Sequence, residues 1–412
     1  MSNTFKVIDM VTKEAMRIAH ESSSFISTTD RQYDPQFKDN GAGKRGSALR
    51  VREPNRYTST LGRVIDVQDQ DESTQTITMA TQRHVGMKFN SVELIQSVNS
   101  GAAFDDLSKN YIEPAVKQLF ADVESEYLTF CTKATYQTVG TAGTPITTLS
   151  VPGLARAKLN QQLAPKSDRN IQMDSITMAG LVNGMASYFN PSNAISKQYT
   201  EGLIARTGMA DYYENEKVWT LTNIADVTGT TDAASLVTDG GTTMDIHTTV
   251  ASPAVGAVFT VAGVYDCNPE TKAPYPHLKQ FTVVATSAGA AITVSPKTIL
   301  TGAKKNVCSS TGADLAVADF NSKTLTFVGS ASTSYIQPLM YHKEAFQFVS
   351  ADLPLMAGAD KCQRKQQDGL SLRVWMDGDI RNDELLMRID ILYGMAALRP
   401  EWASRLIGAA NA

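Results

Sequence analysis

The 412-residue sequence has few of the residues and motifs that catalysis, metal binding and redox chemistry require. Its four cysteines are far apart and form no CxxC pair, which argues against zinc fingers and thioredoxin-like sites. Its five histidines are isolated, and neither an HExxH nor a GxSxG motif occurs. We therefore expect no catalytic site, no cofactor and no metal, and we interpret the cysteines as reduced core residues.

Charge of one sign and long apolar runs are also scarce. The formal net charge is −4, which argues against a protein whose main task is to grip nucleic acid. No stretch approaches the roughly 18 apolar residues of a membrane span, and the first residues lack the apolar run of a signal peptide. The expectation is a soluble protein that is not exported through a cleavable signal.

Three charged or glycine-rich stretches resemble functional motifs but fail in detail. GAGKRGS (41–47) lacks the Ser or Thr that follows the lysine in a phosphate-binding loop, so we interpret it as a turn. DVQDQDES (66–73) lacks the glycine and the final glutamate of an EF-hand; we interpret it as a solvated hairpin tip, with weak cation binding as the alternative. Asp377, Asp379, Asp383 and Glu384 could supply an acid/base pair, but a charged turn between strands is the preferred interpretation.

Hydrophobic spacing predicts the helices and strands of the first half of the chain. Residues 5–19 have the period of an amphipathic helix, which is either an arm or a helix folded on its own domain. Residues 47–89 alternate like two strands of a long hairpin, with DQDES (69–73) at its tip. Residues 105–134 predict a long helix, with Pro114 in its first turn or at a kink. Its apolar stripe consists of Ile112, Val116, Leu119, Phe120, Val123, Tyr127, Phe130 and Cys131.

The second half mixes helices and strands. A helix is predicted at about 152–163 and a strand near 171–178, followed by a helical region around LVNGMASYF. Between Arg206 and Arg364 no arginine occurs, and threonine-rich runs such as AVFTVAGV, KQFTVVAT, AITVSP and TLTFVG recur between turn residues. Short strands of this kind indicate an inserted sandwich or barrel at roughly 226–334. The whole is therefore α+β.

The stretch RIDILYGMAALRPEW (388–402) predicts a further strand. Ile389, Ile391, Tyr393 and Met395 alternate with the other side chains, which gives one strongly apolar face. Gly394 indicates close backbone packing or a bulge, and Pro400 is expected to end the hydrogen-bond ladder.

Basic residues concentrate in the predicted hairpin. Arg50, Arg52, Arg56 and Arg63 could contact phosphate, or they could pair with Asp69, Asp71 and Glu72 of a neighbouring subunit's hairpin. The overall acidity of the chain favours the second interpretation, so these seven residues are the predicted intersubunit contacts.

Six segments together resemble the major coat proteins of short-tailed bacteriophages. They are DRQYDPQF (30–37), GSALRVREPNRYTSTLG (46–62), YIEPA (111–115), YFNPSNAISKQYTEGLIAR (188–206), YHKEAFQFVSADLP (341–354) and LSLRVWMDGDIRNDELLMRIDILYGMAALRPEW (370–402). They span nearly the whole chain in the family's order. The resemblance implies the Johnson fold of tailed-phage and herpesvirus capsid proteins, with an inserted β-barrel domain.

The resemblance also implies a division of the chain. Its parts are an N-terminal arm (1–45), an extended loop (46–89), a peripheral domain with a spine helix (90–140), an axial domain (141–225 and 335–375), the inserted barrel (226–334) and C-terminal strands that close the peripheral domain (376–412).

The implied function is structural. Copies of the chain would form hexamers and pentamers of an icosahedral virion head around double-stranded DNA, through a scaffolded procapsid that expands on maturation. The implied partners are other copies, scaffolding protein, portal protein and non-specifically contacted DNA, with a decoration protein left open and no membrane; assembly would take place in the host cytoplasm. The alternative is a non-catalytic carbohydrate- or surface-binding β-rich protein.

Overall fold

The computed structural model describes most of the chain. The described residues are 15, 17, 24–34, 48–65, 67–68, 72–90, 111–185, 210–223, 228–233, 236–246, 253–286, 291–356, 361–367 and 370–409. The predicted helix at 5–19 therefore lies almost entirely outside them, and GAGKRGS (41–47) lies wholly outside them.

Four helices and twenty strands are described, numbered here in chain order. The helices are α1 (Ser24–Thr28), α2 (Glu113–Ala134), α3 (Ser150–Gln161) and α4 (Ser175–Met185). The first strands are β1 (Ala48–Arg52), β2 (Thr74–Asn90), β3 (Thr138–Val139), β4 (Arg169–Met173), β5 (Asp211–Glu214), β6 (Thr220–Thr222), β7 (Thr228–Thr230), β8 (Gly241–Asp245), β9 (Val258–Cys267) and β10 (Pro274–Thr286). The others are β11 (Ala291–Thr298), β12 (Val307–Cys308), β13 (Thr324–Phe327), β14 (Ser334–Ile336), β15 (Leu339–His342), β16 (Phe346–Ala351), β17 (Lys361–Gln367), β18 (Leu370–Asp379), β19 (Glu384–Ala397) and β20 (Ala403–Leu406).

The chain divides into two compact units. The first unit comprises Met1–Val51, Gln75–Tyr127 and Phe346–Ala396, and the second comprises Arg52–Thr74, Leu128–Ala345 and Ala397–Ala412. The first unit contains a six-stranded sheet of order β1-β2-β19-β18-β17, with β16 also paired to β19. The second contains a five-stranded sheet of order β3-β20-β15-β4-β5, a β14-β6 pair and a seven-stranded sheet.

Helix α2 forms where the apolar spacing predicts it. Pro114 lies in its first turn, where a missing N–H has no helical partner to lose. The side chains of Val116, Phe120 and Val123 are fully buried, as the stripe requires. Phe130, also predicted to be in the stripe, is instead 36% exposed, because the buried face passes through Leu128.

The short helix α1 packs into the first unit. Phe25 and Ile26 are fully buried, and the Phe25 ring lies 4.8 Å from that of Tyr127 on α2. The N–H of Phe25 donates to the buried carboxylate of Glu124 over 2.5 Å. The described part of the N-terminal region is therefore core-forming, which a Ser/Thr-rich sequence did not indicate.

Strand β19 is the predicted strand of the RIDILYGMAALRPEW stretch, and it pairs along β2 from Glu384 to Gly394. A bulge falls between Tyr393 and Gly394, as the glycine indicated. A Cβ at Gly394 would lie only 2.4 Å from the carbonyl oxygen of Thr78, so only glycine allows this approach of β2.

The chain passes from one compact unit to the other after β19. It leaves the first unit after Ala396, and β20 pairs with β15 and β3 in the second. The ladder with β2 ends at Gly394 and β19 itself ends at Ala397. Pro400 then begins a short 3-10 turn, after which β20 joins the other sheet.

The inserted region forms a sheet of its own. We call strands β7 to β13, which span residues 228–327, the insert sheet; its order is β7-β13-β9-β10-β11-β8, with β12 paired to β9. All seventeen residues of its apolar cluster lie between Val237 and Phe327. The four threonine-rich runs predicted as strands are β9, β10, β11 and β13. By contrast, the strand predicted near 171–178 ends at Met173, and α4 begins at Ser175.

A buried ion pair lies at one side of the insert sheet. Lys279 Nζ on β10 is 2.7 Å from Asp266 Oδ1 on β9, and both side chains are at most 6% exposed. Burial alone would raise the pKa of Asp266, but the charge and hydrogen bond of Lys279, together with His277 Nε2 at 3.4 Å, hold that pKa below its usual value of 3.8.

Replacing Lys279 by Met is expected to destabilise the subunit by about 3–5 kcal/mol at pH 7, because the Asp266 carboxylate would remain buried and unpaired. The wild-type pair contributes its stability above about pH 4 and loses it as acid protonates Asp266. The difference between wild type and Lys279→Met in urea unfolding should therefore shrink on going from pH 7 to pH 3. Lys297→Met, at an exposed position of the same sheet, serves as the control; an equal loss there would contradict the prediction.

Candidate assembly surfaces

The hairpin of β1 and β2 projects a long loop. The N–H of Glu53 donates to the carbonyl of Ser73 over 2.9 Å and continues the β1–β2 ladder by one pair. We call residues 53–73 the hairpin loop; its residues 66 and 69–71 lie outside the described part. The Ser73 hydroxyl donates to Glu53 and accepts from Lys304 Nζ of the insert sheet's loops over 2.9 Å, which fixes the base of the loop.

One side chain closes the outer part of the loop. The amide of Gln68 bonds the backbone of Thr58 in both directions, with 2.9 Å from Thr58 N to Oε1 and 2.5 Å from Nε2 to Thr58 O. This imitates a strand pair and isolates residues 59–67 as the tip. Gly62 turns the chain there with a φ of +140°.

The tip is apolar and exposed. Leu61 is 103% exposed, Val64 87% and Ile65 85%, and Val67 and Tyr57 are also largely exposed. Single exposed apolar residues are ordinary, but five within eleven positions of one loop indicate a surface that another protein covers. Sequence reasoning missed this feature because the charged residues between them dominate the pattern.

The predicted ionic contacts are only partly brought together. Arg50, Arg52, Arg56 and Arg63 are all exposed. Arg52 Nη1 lies 3.6 Å from Glu72 Oε2 within the same chain, with the two side chains 77% and 57% exposed. An exposed pair of this kind contributes at most about 1 kcal/mol. Asp69 and Asp71 lie outside the described residues.

Of the carboxylates around the turn between β18 and β19, Asp379 stabilises that turn, whereas Glu384 pairs with Lys88 on β2 over 2.8 Å. Asp379 accepts from the N–H of Arg381 over 2.9 Å and from the side chain of Asn382 over 2.7 Å, and these bonds lower the pKa of Asp379. Ile380 at this turn is 99% exposed. Across the described ranges, no group of three or more His, Cys, Asp or Glu side chains could hold a metal ion.

A polar cluster ties β2, the strand that leads out of the hairpin, to α2. Arg83 Nη2 on β2 lies 2.5 Å from Glu126 Oε2, and Arg83 Nη1 lies 3.4 Å from Asp122. The Tyr393 hydroxyl on β19 donates to the same Glu126 oxygen over 2.7 Å. Burial and the bond to Glu126 raise the pKa of Tyr393 to about 12. The hydroxyl therefore stays a donor at all physiological pH values.

The chain is similar to known phage coat proteins in sequence and in fold. The family model of the P22 coat protein matches residues 46–408. Among solved structures, that of Mycobacterium phage Che8 has a TM-score of 0.49 at 9% identity over 93% of this chain and 90% of the other. The capsid of Ralstonia phage GP4 has a TM-score of 0.48 at 7% identity over 95% of this chain and 91% of the other. A comparison with curated protein sequences found no significant match.

These TM-scores and sequence identities are too low to indicate function, whereas the family match covers most of the chain. The α+β architecture with its long helix and insert is that of a tailed-phage major capsid protein. The chain belongs to the P22 coat protein family. It is thus a structural protein of the bacteriophage virion that self-assembles into a shell. No described helix is long and apolar enough to span a membrane.

Replacing Tyr393 by Phe is expected to keep the ring packing and to destabilise the subunit by about 1.5 kcal/mol. This is the lower end for a hydrogen bond to a charged group, because Glu126, one-third exposed, can recruit water instead. Urea unfolding of the unassembled subunit measures the loss. The matched control is Tyr335→Phe, which removes a buried tyrosine hydroxyl from another sheet. In amide hydrogen exchange, Tyr393→Phe should speed exchange in β2, whereas Tyr335→Phe should not.

Proposed function

We propose that the chain forms hexamers and pentamers of an icosahedral head that encloses double-stranded DNA. Assembly proceeds through a scaffolded procapsid that expands on maturation. The observation that carries this proposal is the exposed apolar tip of the hairpin loop in a chain of the P22 coat protein family.

The tip gains stability only when another subunit covers it. Full burial of one Leu, Ile or Val side chain is worth about 1.5–3 kcal/mol, so four such residues give roughly 6–12 kcal/mol per loop before entropic costs. The ordering of the loop and the lost freedom of the subunit offset much of that gain. Each contact is thus modest, and a shell made of many copies becomes stable by their number.

The charged residues of the loop set specificity in this proposal. Along the sequence, the basic residues Arg50, Arg52, Arg56 and Arg63 come first and the acidic residues Asp69, Asp71 and Glu72 follow, so the two halves of the hairpin segment carry opposite charges. Charged rims of this kind orient a contact and exclude wrong partners more than they add affinity.

The remaining parts of the proposal concern partners and domains. The proposed partners are scaffolding protein during assembly, portal protein and packaged double-stranded DNA that is contacted non-specifically; a decoration protein is left open. Within the subunit we assign the arm to 1–45, the extended loop to 46–89, the peripheral domain to 90–140, the axial domain to 141–225 and 335–375, the inserted domain to 226–334, and the strands that close the peripheral domain to 376–412. The protein has no catalytic role.

Replacing Val64 and Ile65 by Ser is expected to abolish shells while leaving the urea midpoint of the isolated subunit unchanged, because both side chains are exposed there. Size-exclusion chromatography and negative-stain electron microscopy, with and without scaffolding protein, measure assembly. The matched control, Val64→Ile with Ile65→Val, keeps the tip apolar and should assemble normally. Normal shells from the serine variant would refute the role of the tip.

Reversing the charge at Arg52 separates the two ionic hypotheses. If the pairing is within the chain only, Arg52→Glu lowers subunit stability by less than about 1 kcal/mol and leaves assembly intact. We expect instead that assembly yield falls, and that adding Glu72→Arg restores it, because the double variant keeps opposite charges both within the loop and between loops. The readout is the fraction of protein sedimenting as shells; an unchanged fraction for Arg52→Glu would contradict the proposal.

A further inference from the structure

A fully buried guanidinium lies where three distant parts of the second unit meet. Arg405 on β20 is 0% exposed. Its Nη1 donates to the carbonyl of Gly256, just before the insert sheet's strand β9, over 2.5 Å. Its Nη2 donates to the carbonyl of Lys133 at the end of α2 and to the hydroxyl of Thr282 on β10, each over 3.0 Å.

This cation has no carboxylate partner among the described residues. Burial lowers the pKa of Arg405 to about 9, with no opposite charge to offset it. A buried charge of this kind is tolerated only where dipoles surround it. The carbonyl at the C-terminus of α2 carries the negative end of the helix dipole, and the ring of Trp219 lies 5.8 Å from the guanidinium carbon.

Gly256 is shaped for this contact. It has a φ of +95°, and a Cβ there would lie 2.6 Å from the Trp219 ring and 2.9 Å from the Lys133 side chain. Lys133 Nζ also lies over the Trp219 ring, 5.2 Å from its centroid. The backbone of the insert is therefore pressed directly against the end of α2.

Strand β10 continues the joint with a row of polar bonds. The amide of Gln280 bonds the backbone of Thr138 on β3 in both directions, at 2.9 Å and 3.0 Å. The Thr282 hydroxyl donates to the carbonyl of Lys133 over 3.1 Å, and the Tyr275 hydroxyl donates to the carbonyl of Gln161 at the end of α3 over 3.0 Å. The insert sheet is thus held along one strand by hydrogen bonds, and Arg405 on β20 adds bonds both to the end of α2 and to the insert.

We propose that Arg405 is a positioning residue that makes docking of the insert sheet conditional on strand β20 being in place. Its donors satisfy carbonyls of α2 and of the insert at the same time, so neither side can separate without leaving the guanidinium and those carbonyls unpaired. The end of α2, the insert sheet and β20 therefore form one body. A coat subunit with this joint completes the orientation of its insert only after the last strand has paired.

Hydrogen exchange of the unassembled full chain tests this inference, because the Thr138 N–H bonds directly to Gln280 of the insert. In Arg405→Met we expect exchange at Thr138 to be faster by about 10-fold or more, while amides within the β9–β13 ladder keep their protection. Arg405→Lys should restore part of the protection, and Thr282→Val should cause a smaller loss in the same direction.

Arg169 provides the matched control. It is 3% exposed and donates to the carbonyls of Ala164 and Pro165 and to Asn160, all outside the insert. Arg169→Met should leave Thr138 protected. The inference is overturned if Arg405→Met leaves Thr138 protected, if the insert ladder loses protection in proportion, or if Arg169→Met has the same effect. If Arg405→Met does not fold, the Arg405→Lys and Thr282→Val variants test the inference by the same measurement of exchange at Thr138.

Discussion

The packing of α2 against the six-stranded sheet is the interaction on which the first unit depends. Fully buried aromatic rings connect α1, α2, β16 and β19: the Tyr127 ring lies 4.8 Å from that of Phe25 and 5.1 Å from that of Phe348, which stacks on Tyr393 at 5.7 Å. An apolar interface alone permits small shifts of register. The contact of Arg83 and Tyr393 with Glu126 adds a directional constraint, so that β2 has one position along the helix.

The second unit uses a different balance of forces. The insert sheet has its own apolar core, but it is joined to the rest of the unit mostly by polar bonds to Thr138, Lys133 and Gln161. Hydrogen bonds are directional, and they weaken steeply when their angles or distances change. They therefore hold the insert in one orientation relative to the end of α2 and to β3.

The hairpin loop shows why an assembly protein differs from an ordinary globular one. A monomer that exposes Leu61, Val64 and Ile65 together carries an aggregation hazard. In the assembly proposed above, a partner that covers the tip would turn this hazard into a driving force, and the charged residues of the hairpin would limit which partner can do so. The net charge of −4 keeps the subunits from associating indiscriminately.

Local sequence patterns predicted many of the helices and strands. Period and composition predicted α2 with Pro114 in its first turn, the strand around Ile389 and Ile391, the bulge at Gly394 and the strands of the insert, because each depends on neighbours within a few residues. The resemblance of spaced segments to phage coat proteins indicated the family before any contact was known. Of the predicted site residues that the structure describes, Arg52 and Glu72 are seen together, within one chain.

Tertiary structure alone decided the rest. The local sequence does not say that β20 joins the second unit, because its partners β15 and β3 lie far from it along the chain. Nothing near Arg405 in sequence marks it as buried, since its acceptors lie on Lys133, Gly256 and Thr282. The sequence by itself determined the elements, the core faces and the family; the pairing of distant strands, the burial of a lone cation and the exposure of the loop tip were settled only when the chain packed on itself.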